Sequence, residues 1–373
     1  RDTQTISTSF VFSSENGPSH LFKIVEGVCC RDQERTMRCA RIKADGEGYY
    51  HCMSRIIERR MILGDNEKHR LVSLMRSMAA FSGLNILAYC FMSNHFHILV
   101  HVPERREVSD DELIRRLHYI YSDWEVDMIA KQLEDHRRHE QTTAAEWLKN
   151  RYVYRMYDVS QFFKTMKQRF SQFYNAREDR SGPLWEQRFK SILVERSEDA
   201  LLTMAAYIDL NPVRARMTQE PADYRYSSYG SAVGGCAEAR AGLRLLMQVT
   251  LDESKMSWAE VQSAYRQRLY IQGEQKGLDP EGRPIRQGFT PEKVEEVIAA
   301  GGRLPMHDLM RCRIRYFSDG LALGRREFIE TVFERYRGRF GSKRQTGARP
   351  MRYGEWSGLC TMRDLRLSPV STG

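Results

Sequence analysis

His95 and His97 stand one residue apart in LNILAYCFMSNHFHILVHV, Leu84 to Val102. The apolar run before them reads as a strand, Ser93-Asn94 as a turn and His95 to Val102 as a second strand, which predicts a β-hairpin. Strand side chains alternate between faces, so His95, His97, Leu99 and His101 share one side, and Phe96, Ile98 and Val100 the other. At roughly 3.3 Å per residue the first two imidazoles lie about 7 Å apart along the strand, close enough to converge on one metal ion, whereas His101 is roughly 20 Å from His95. A half-exposed strand with histidines on its wet face fits the same spacing.

A second group lies in SEDALLTMAAYIDLNPVRARM, Ser197 to Met217. Helical spacing sets Thr203, Tyr207 and Asn211 on one stripe and Leu201, Ala205 and Ile208 on an apolar one. An Asn side chain can give an oxygen ligand to a hard divalent cation, and a tyrosine one turn away would hold its hydroxyl near the same ion. The alternative is a packing tyrosine followed by an Asn-Pro helix end, because proline disfavours a helical residue before it.

The elements that must position these residues alternate. From Gly48 the pattern is a strand (Tyr49 to Arg55), a helix (Glu67 to Phe81), the hairpin, a long helical segment, a strand in LWEQRFKSILVE (Leu184 to Glu195), and a helix capped by Ser197 with Glu198 and Asp199 at its positive end. This order predicts an α+β fold, an antiparallel sheet covered by helices on one side. Residues 1–36 show no period and are expected to be a disordered leader. The core unit is expected over 37–235, interrupted by a charged helical insertion at about 104–158 that holds His118, His136 and His139, expected to be solvated. A second, helical domain is expected over 240–373, with a capping box at Ser257 to Glu260 and Pro291 at a helix start.

With 373 residues the chain has room for about two domains. Eight scattered cysteines without a C-x-x-C pair argue against a zinc ribbon or a disulfide framework. No apolar run approaches the roughly 18 residues needed to span a bilayer, and the opening RDTQTISTSFVFSSENG lacks the order of a secretory signal. A soluble, intracellular protein with no membrane partner is expected. Lysine and arginine number 58 against 49 acidic residues, and the net charge of +9 favours a polyanionic partner, nucleic acid first.

The order YYHCMSR, AYCFMSNHFHILV, FYNARED, GPLWEQRFKSILVE, YIDLNPVRARM, over roughly residues 38–230, closely resembles the single-tyrosine HUH transposases, in particular the REP-associated tyrosine transposases of bacteria. The resemblance implies a ferredoxin-like HUH core and a cytoplasmic, nucleoid-associated protein that acts on single-stranded or hairpin DNA as a monomer or homodimer. It implies that His95 and His97 bind a divalent cation, Mg or Mn, that Asn211 completes that site, and that Tyr207 is the nucleophile of a DNA endonuclease and strand transferase. The insertion departs from the family pattern. Tyr174, Tyr224, Tyr226 and Tyr229 compete with Tyr207 for the nucleophilic role.

Arg180, Trp185, Arg188, Lys190, Arg214 and Arg216 are candidates for phosphate contact and base stacking. HDLMRCRIRYF, SDGLALG and RREFIETVFERYRGRF read as two helices about a glycine-containing turn, a possible helix-turn-helix, leading into a tail with seven basic residues and one acidic between Glu334 and Arg352. Two rival functions stand beside the transposase: a catalytically silent, domesticated DNA-binding protein, and a replication-initiating or conjugative HUH nuclease.

Overall fold

The hairpin around Ser93-Asn94 forms one edge of the sheet. In the computed structural model, which describes residues 41–251, 256–270, 316–351 and 356–363, β1 (Gly48–Arg55), β2 (Asn85–Phe91), β3 (His95–Val102) and β4 (Lys190–Val194) form an antiparallel sheet in the order β2-β3-β1-β4. Helix α1 (Asp65–Ser82) connects β1 to β2, and α5 (Val159–Arg177) precedes β4. This is the split β-α-β-β-α-β order of ferredoxin-like folds, so the core is α+β as expected. The leader expected over 1–36 and the helix start at Pro291 lie outside the described residues.

The apolar parity of β3 has a direct packing cause. Phe96, Ile98 and Val100 are fully buried, and Phe96 stacks on Phe163 of α5 at 6.0 Å and meets Trp185 edge-on at 5.5 Å. Each such aromatic side chain buries a large apolar area, which dominates the energetics of that face. Helix α1 packs beside α5. It ends at Gly83, whose φ of 70° is the left-handed conformation that glycine adopts without a Cβ penalty.

The expectation of helices on one side is corrected. The histidine face is covered as well, by α6 (Glu198–Asp209), in which every residue from Ala200 to Asp209 is buried. A helix apolar all round must be packed all round. Ser197 caps it by accepting a hydrogen bond from the Ala200 N–H. Pro212 opens the short α7 (Asn211–Arg214).

Helices α2 (Asp110–Leu117), α3 (Asp123–Arg138) and α4 (Thr142–Val153) make up the segment expected as a charged helical insertion. Ser109 and Ser122 cap the first two. Beyond α7 come α8 (Ser228–Val233), α9 (Ala237–Leu251) and α10 (Trp258–Tyr270), the last opening on the expected box, with Ser257 N–H donating to Glu260 at 2.7 Å. Helix α9 crosses β2 beside a bulge between Ile86 and Ala88, and at Gly242 a Cβ would lie 2.3 Å from the Ile86 carbonyl oxygen.

The helix-turn-helix expectation meets a different arrangement. Gly320–Gly324, read as the turn, is strand β5, which pairs parallel with β4 through Leu193–Ala322 and Val194–Leu323. It follows α11 (Tyr316–Asp319) and precedes α12 (Arg326–Arg335), and the expected first helix lies, up to residue 315, outside the described residues. β6 (Arg349–Pro350) and β7 (Cys360–Arg363) complete a seven-stranded sheet, β2-β3-β1-β4-β5-β7-β6. A short apolar run of Gly, Leu and Ala has no strand period of its own, and its strand state comes from its two partners. In the basic tail, Arg337 donates to the carbonyls of Phe340, Gly341 and Ser342, and Arg344 to those of Thr346, Gly347 and Arg363. No helix among the described residues is long and apolar enough to cross a membrane.

Candidate active site

Strand β3 delivers His95 and His97 to one face, and α6 lays Tyr207 across that face. The rings of His95 and His97 are 5.1 Å apart at 79°, and Tyr207 meets His97 edge-on at 5.8 Å. The β1–β3 register puts Arg55 opposite His95, Met53 opposite His97 and His51 opposite Leu99. His51 therefore shares the face. Its Nε2 is 2.9 Å from Nδ1 of His97, their rings are stacked at 5.1 Å, and Tyr207 lies edge-on to His51 at 6.1 Å.

Burial sets the charge of this cluster. His97 is held well below the ordinary imidazole range by desolvation, with His51, His95, Arg214 and Arg55 acting in the same direction. His51 is brought down to about 3, also chiefly by desolvation. Both are neutral at physiological pH, the state in which an imidazole nitrogen can ligate a cation. His95 Nδ1 lies 2.6 Å from Oδ1 of Asn94, whose Nδ2 donates to the Arg59 carbonyl. Asn94 thus presents an oxygen to His95, which places a His95 proton on Nδ1.

Tyr207 is only 5% exposed. One neighbour of its ring is Phe317 of α11 at 4.7 Å; another is the Arg214 guanidinium at 4.1 Å, which also donates to the Tyr207 carbonyl at 2.6 Å. Asn211 donates its amide N–H groups to the carbonyls of Tyr207 and Ile208, at 3.2 and 3.1 Å, and caps the end of α6. Among the described residues, no group of three or more His, Cys, Asp or Glu side chains is arranged to hold a metal ion. The residues that could hold a divalent cation are His95 and His97 with the Asn211 amide oxygen, a mixed nitrogen and oxygen set.

The remaining candidates separate by position. His101 is engaged elsewhere, 2.7 Å from Glu47, stacked on Tyr49 at 4.6 Å and 3.1 Å from the Asn85 amide. Lys190 is exposed, pairs with Asp319 at 3.3 Å, and stands on the histidine face, since Met53 opposes both His97 and Lys190. Arg188 and Arg216 are exposed, the latter at a φ of 55° just past α7. Arg180 closes its own loop through the Pro183 carbonyl and lies over Tyr174. Trp185 packs between Phe96 and Phe170, and its indole N–H donates to the Lys167 carbonyl.

Of the competing tyrosines, Tyr174 is buried against Phe170, Tyr224 donates its hydroxyl to the Phe91 carbonyl at 2.6 Å, and Tyr229 is packed on Tyr265. Tyr226 shares its hydroxyl with Arg225, the Asp65 carbonyl and His69. Sequence reasoning passed over His51, Arg55 and Phe317. The first two stand in YYHCMSR with the parity of a strand face, a signal that needs the register with β3 to become meaningful.

The family comparison agrees with the motifs. The family model described as Transposase IS200 like matches residues 46–154, which include His51, Arg55, His95 and His97 and end before α6. A search of the curated proteins matched nothing. Among solved structures, that of a REP-associated tyrosine transposase bound to a REP hairpin is similar at 14% identity and a TM-score of 0.35, over 53% of this chain and 87% of that one. Through the segment that bears its histidine pair, residues 46–154, the chain is similar to the family of IS200-like transposases.

Proposed function

We propose that the chain is a metal-dependent, single-strand DNA endonuclease and strand transferase that uses Tyr207 as its nucleophile. The observation that carries this reading is the placing of Tyr207 against His97, beside His95 and Arg214, by elements far apart in sequence. Residues 37–235 are read as its catalytic unit, with 104–158 as an insertion and 240–373 as an appended part. A cytoplasmic, nucleoid-associated location follows from the same reading, as a monomer or homodimer.

His95 and His97 would hold the cation through their Nε2 atoms, and Asn211, whose amide nitrogen is committed to carbonyls, would offer its oxygen. A bound Mg or Mn supplies charge to the scissile phosphate, which a phenol of pKa near 10 needs at neutral pH. Tyr207 attacks the phosphorus, the bond from phosphorus to the 3′ oxygen breaks, and the phenol loses a proton while the leaving oxygen gains one. The products are a 5′-phosphotyrosine link and a free 3′-hydroxyl. Because the link keeps the phosphodiester energy, the 3′-hydroxyl of a second strand can reverse the step and join DNA without ATP. Arg214 holds the Tyr207 ring and carbonyl, while Arg55 and Lys190 add positive charge on the same face for the DNA backbone. Repeat hairpins are the proposed substrates, on the strength of the motif resemblance.

One observation favours the silent-binder reading: Phe317 and Arg214 leave Tyr207 almost without exposure. Incubation with single-stranded hairpin DNA and Mn²⁺ separates the two. A covalent protein–DNA product in the wild type that disappears in Tyr207→Phe supports the nuclease. Hairpin binding with no covalent product in the wild type would establish the binder instead.

A further inference from the structure

The imidazole pair formed by His51 and His97 has a task that the metal-ligand set leaves unassigned. The two nitrogens between them are 2.9 Å apart, so a single proton lies between the rings. If His51 carries it, Nδ1 of His97 is an acceptor, and neutral His97 must hold its own proton on Nε2, where it blocks ligation. If His97 carries it, Nε2 of His97 is bare.

Ligation by Nε2 of His97, the reading made above, requires the second case. On its far side, His51 Nδ1 is buried without a hydrogen-bond partner, and the ring lies against the backbone of Phe317. A neutral His51 with its proton on Nδ1 has Nε2 as an acceptor. The neighbouring His95 shows the same design in a different form, with Nδ1 against the Asn94 oxygen at 2.6 Å. Each histidine of the pair thus has a partner behind its Nδ1, one an amide and the other a buried imidazole on the adjacent strand.

We propose that His51 is a positioning residue, whose Nε2 accepts the Nδ1–H of His97 and so fixes the tautomer that presents the bare Nε2 of His97 to a divalent cation. His51 touches neither the ion nor DNA. It acts through His97, with its ring stacked against that histidine and edge-on to Tyr207. The proposal rests on the metal-dependent reading above, and its test keeps the two apart.

The test uses the full chain without DNA, with Mn²⁺ binding followed by calorimetry and electron paramagnetic resonance, and the His97 tautomer read from nitrogen-15 correlation spectra. His51→Phe keeps the packing and deletes the acceptor, and is expected to weaken Mn²⁺ binding about 10- to 100-fold. His51→Gln restores an acceptor oxygen close to the lost Nε2 and is expected to stay within a few-fold of wild type. The wild-type spectrum is expected to show the His97 proton on Nδ1. A folded His51→Phe protein that binds Mn²⁺ like the wild type, or a His97 proton found on Nε2, overturns the assignment. Should His51→Phe fail to fold, the glutamine variant and the wild-type spectrum decide, and a glutamine variant as weak as His97→Ala counts against the role. A wild type that itself binds no Mn²⁺ removes the metal reading, and the positioning role falls with it.

Discussion

Asp209 anchors the helix that carries Tyr207, and removing its carboxylate should loosen that helix by an amount the structure allows to be worked out. The side chain is fully buried. It accepts hydrogen bonds from the Ser228 hydroxyl at 2.8 Å, the Tyr229 N–H at 2.9 Å and the Tyr265 hydroxyl at 2.7 Å, which tie α6 to α8 and α10. In Asp209→Ala the Tyr229 N–H and Tyr265 hydroxyl lose this acceptor, at about 1–3 kcal/mol each, whereas Ser228 keeps the Tyr89 backbone as a partner. Asp209→Asn keeps one acceptor oxygen, enough for one of these two donors, so the alanine variant should be the less stable of the two by about 1–3 kcal/mol. Urea denaturation with equal m-values measures the difference.

The same group gives a pH dependence with a definite sign. Burial raises the Asp209 carboxyl from its ordinary 3.8 to about 6, so the folded state binds the proton more tightly than the unfolded chain. Its contribution to stability is greatest below about pH 4 and falls by about 3 kcal/mol as pH rises through 6. Asparagine cannot titrate, so the gap between wild type and Asp209→Asn should change between pH 4 and 7 in favour of the variant. Parallel stability curves, or an alanine variant as stable as the asparagine one, would refute the reasoning.

Further outcomes follow from the same geometry. His97→Ala should abolish Mn²⁺ binding and His101→Ala should leave it unchanged, because His101 is occupied by Glu47, Tyr49 and Asn85; equal losses in calorimetry would overturn the two-histidine site. Trp185→Ala should cost about 3 kcal/mol in thermal or urea unfolding through lost packing on Phe96 and Phe170; a variant of wild-type stability with weakened DNA binding would return Trp185 to the stacking role. Gly242→Val should destabilise by about 1–3 kcal/mol, since its Cβ would collide with the Ile86 carbonyl, and an unchanged melting temperature would show that α9 can slide away from β2.

What could be read in the chain is what local chemistry determines. The hairpin, the parity of His95 and His97, the caps at Ser197 and Ser257 and the stripe of Tyr207 with Asn211 each depend on a few neighbouring residues. His51 needed the register of β1 against β3, which no single segment encodes. The Phe317 contact with Tyr207 joins positions 110 residues apart, and Gly320–Gly324 looks like a turn until β4 and β7 are placed on either side of it. The packing of Trp185 on Phe96 and Phe170 was not legible for a related reason, because a tryptophan among basic residues suits stacking on bases as well as it suits a core. Coverage of both sheet faces was hidden because histidines suggest a wet surface, and here α6 closes over them.

The parallel pairing of β4 with β5 bears on how this protein is made. Val194 pairs with Leu323, so at a ribosomal rate of roughly 5–20 residues per second, β4 waits roughly 6 to 26 s for its neighbour to be synthesised. During that interval one side of β4 presents unpaired backbone groups, the kind of edge that recruits strands from other chains. Expression at high temperature or high yield should therefore favour aggregates nucleated at Lys190–Val194. Fragments cut before residue 316 should keep that edge open permanently, and a chaperone that holds the nascent chain should raise the yield of the whole protein while leaving such fragments insoluble.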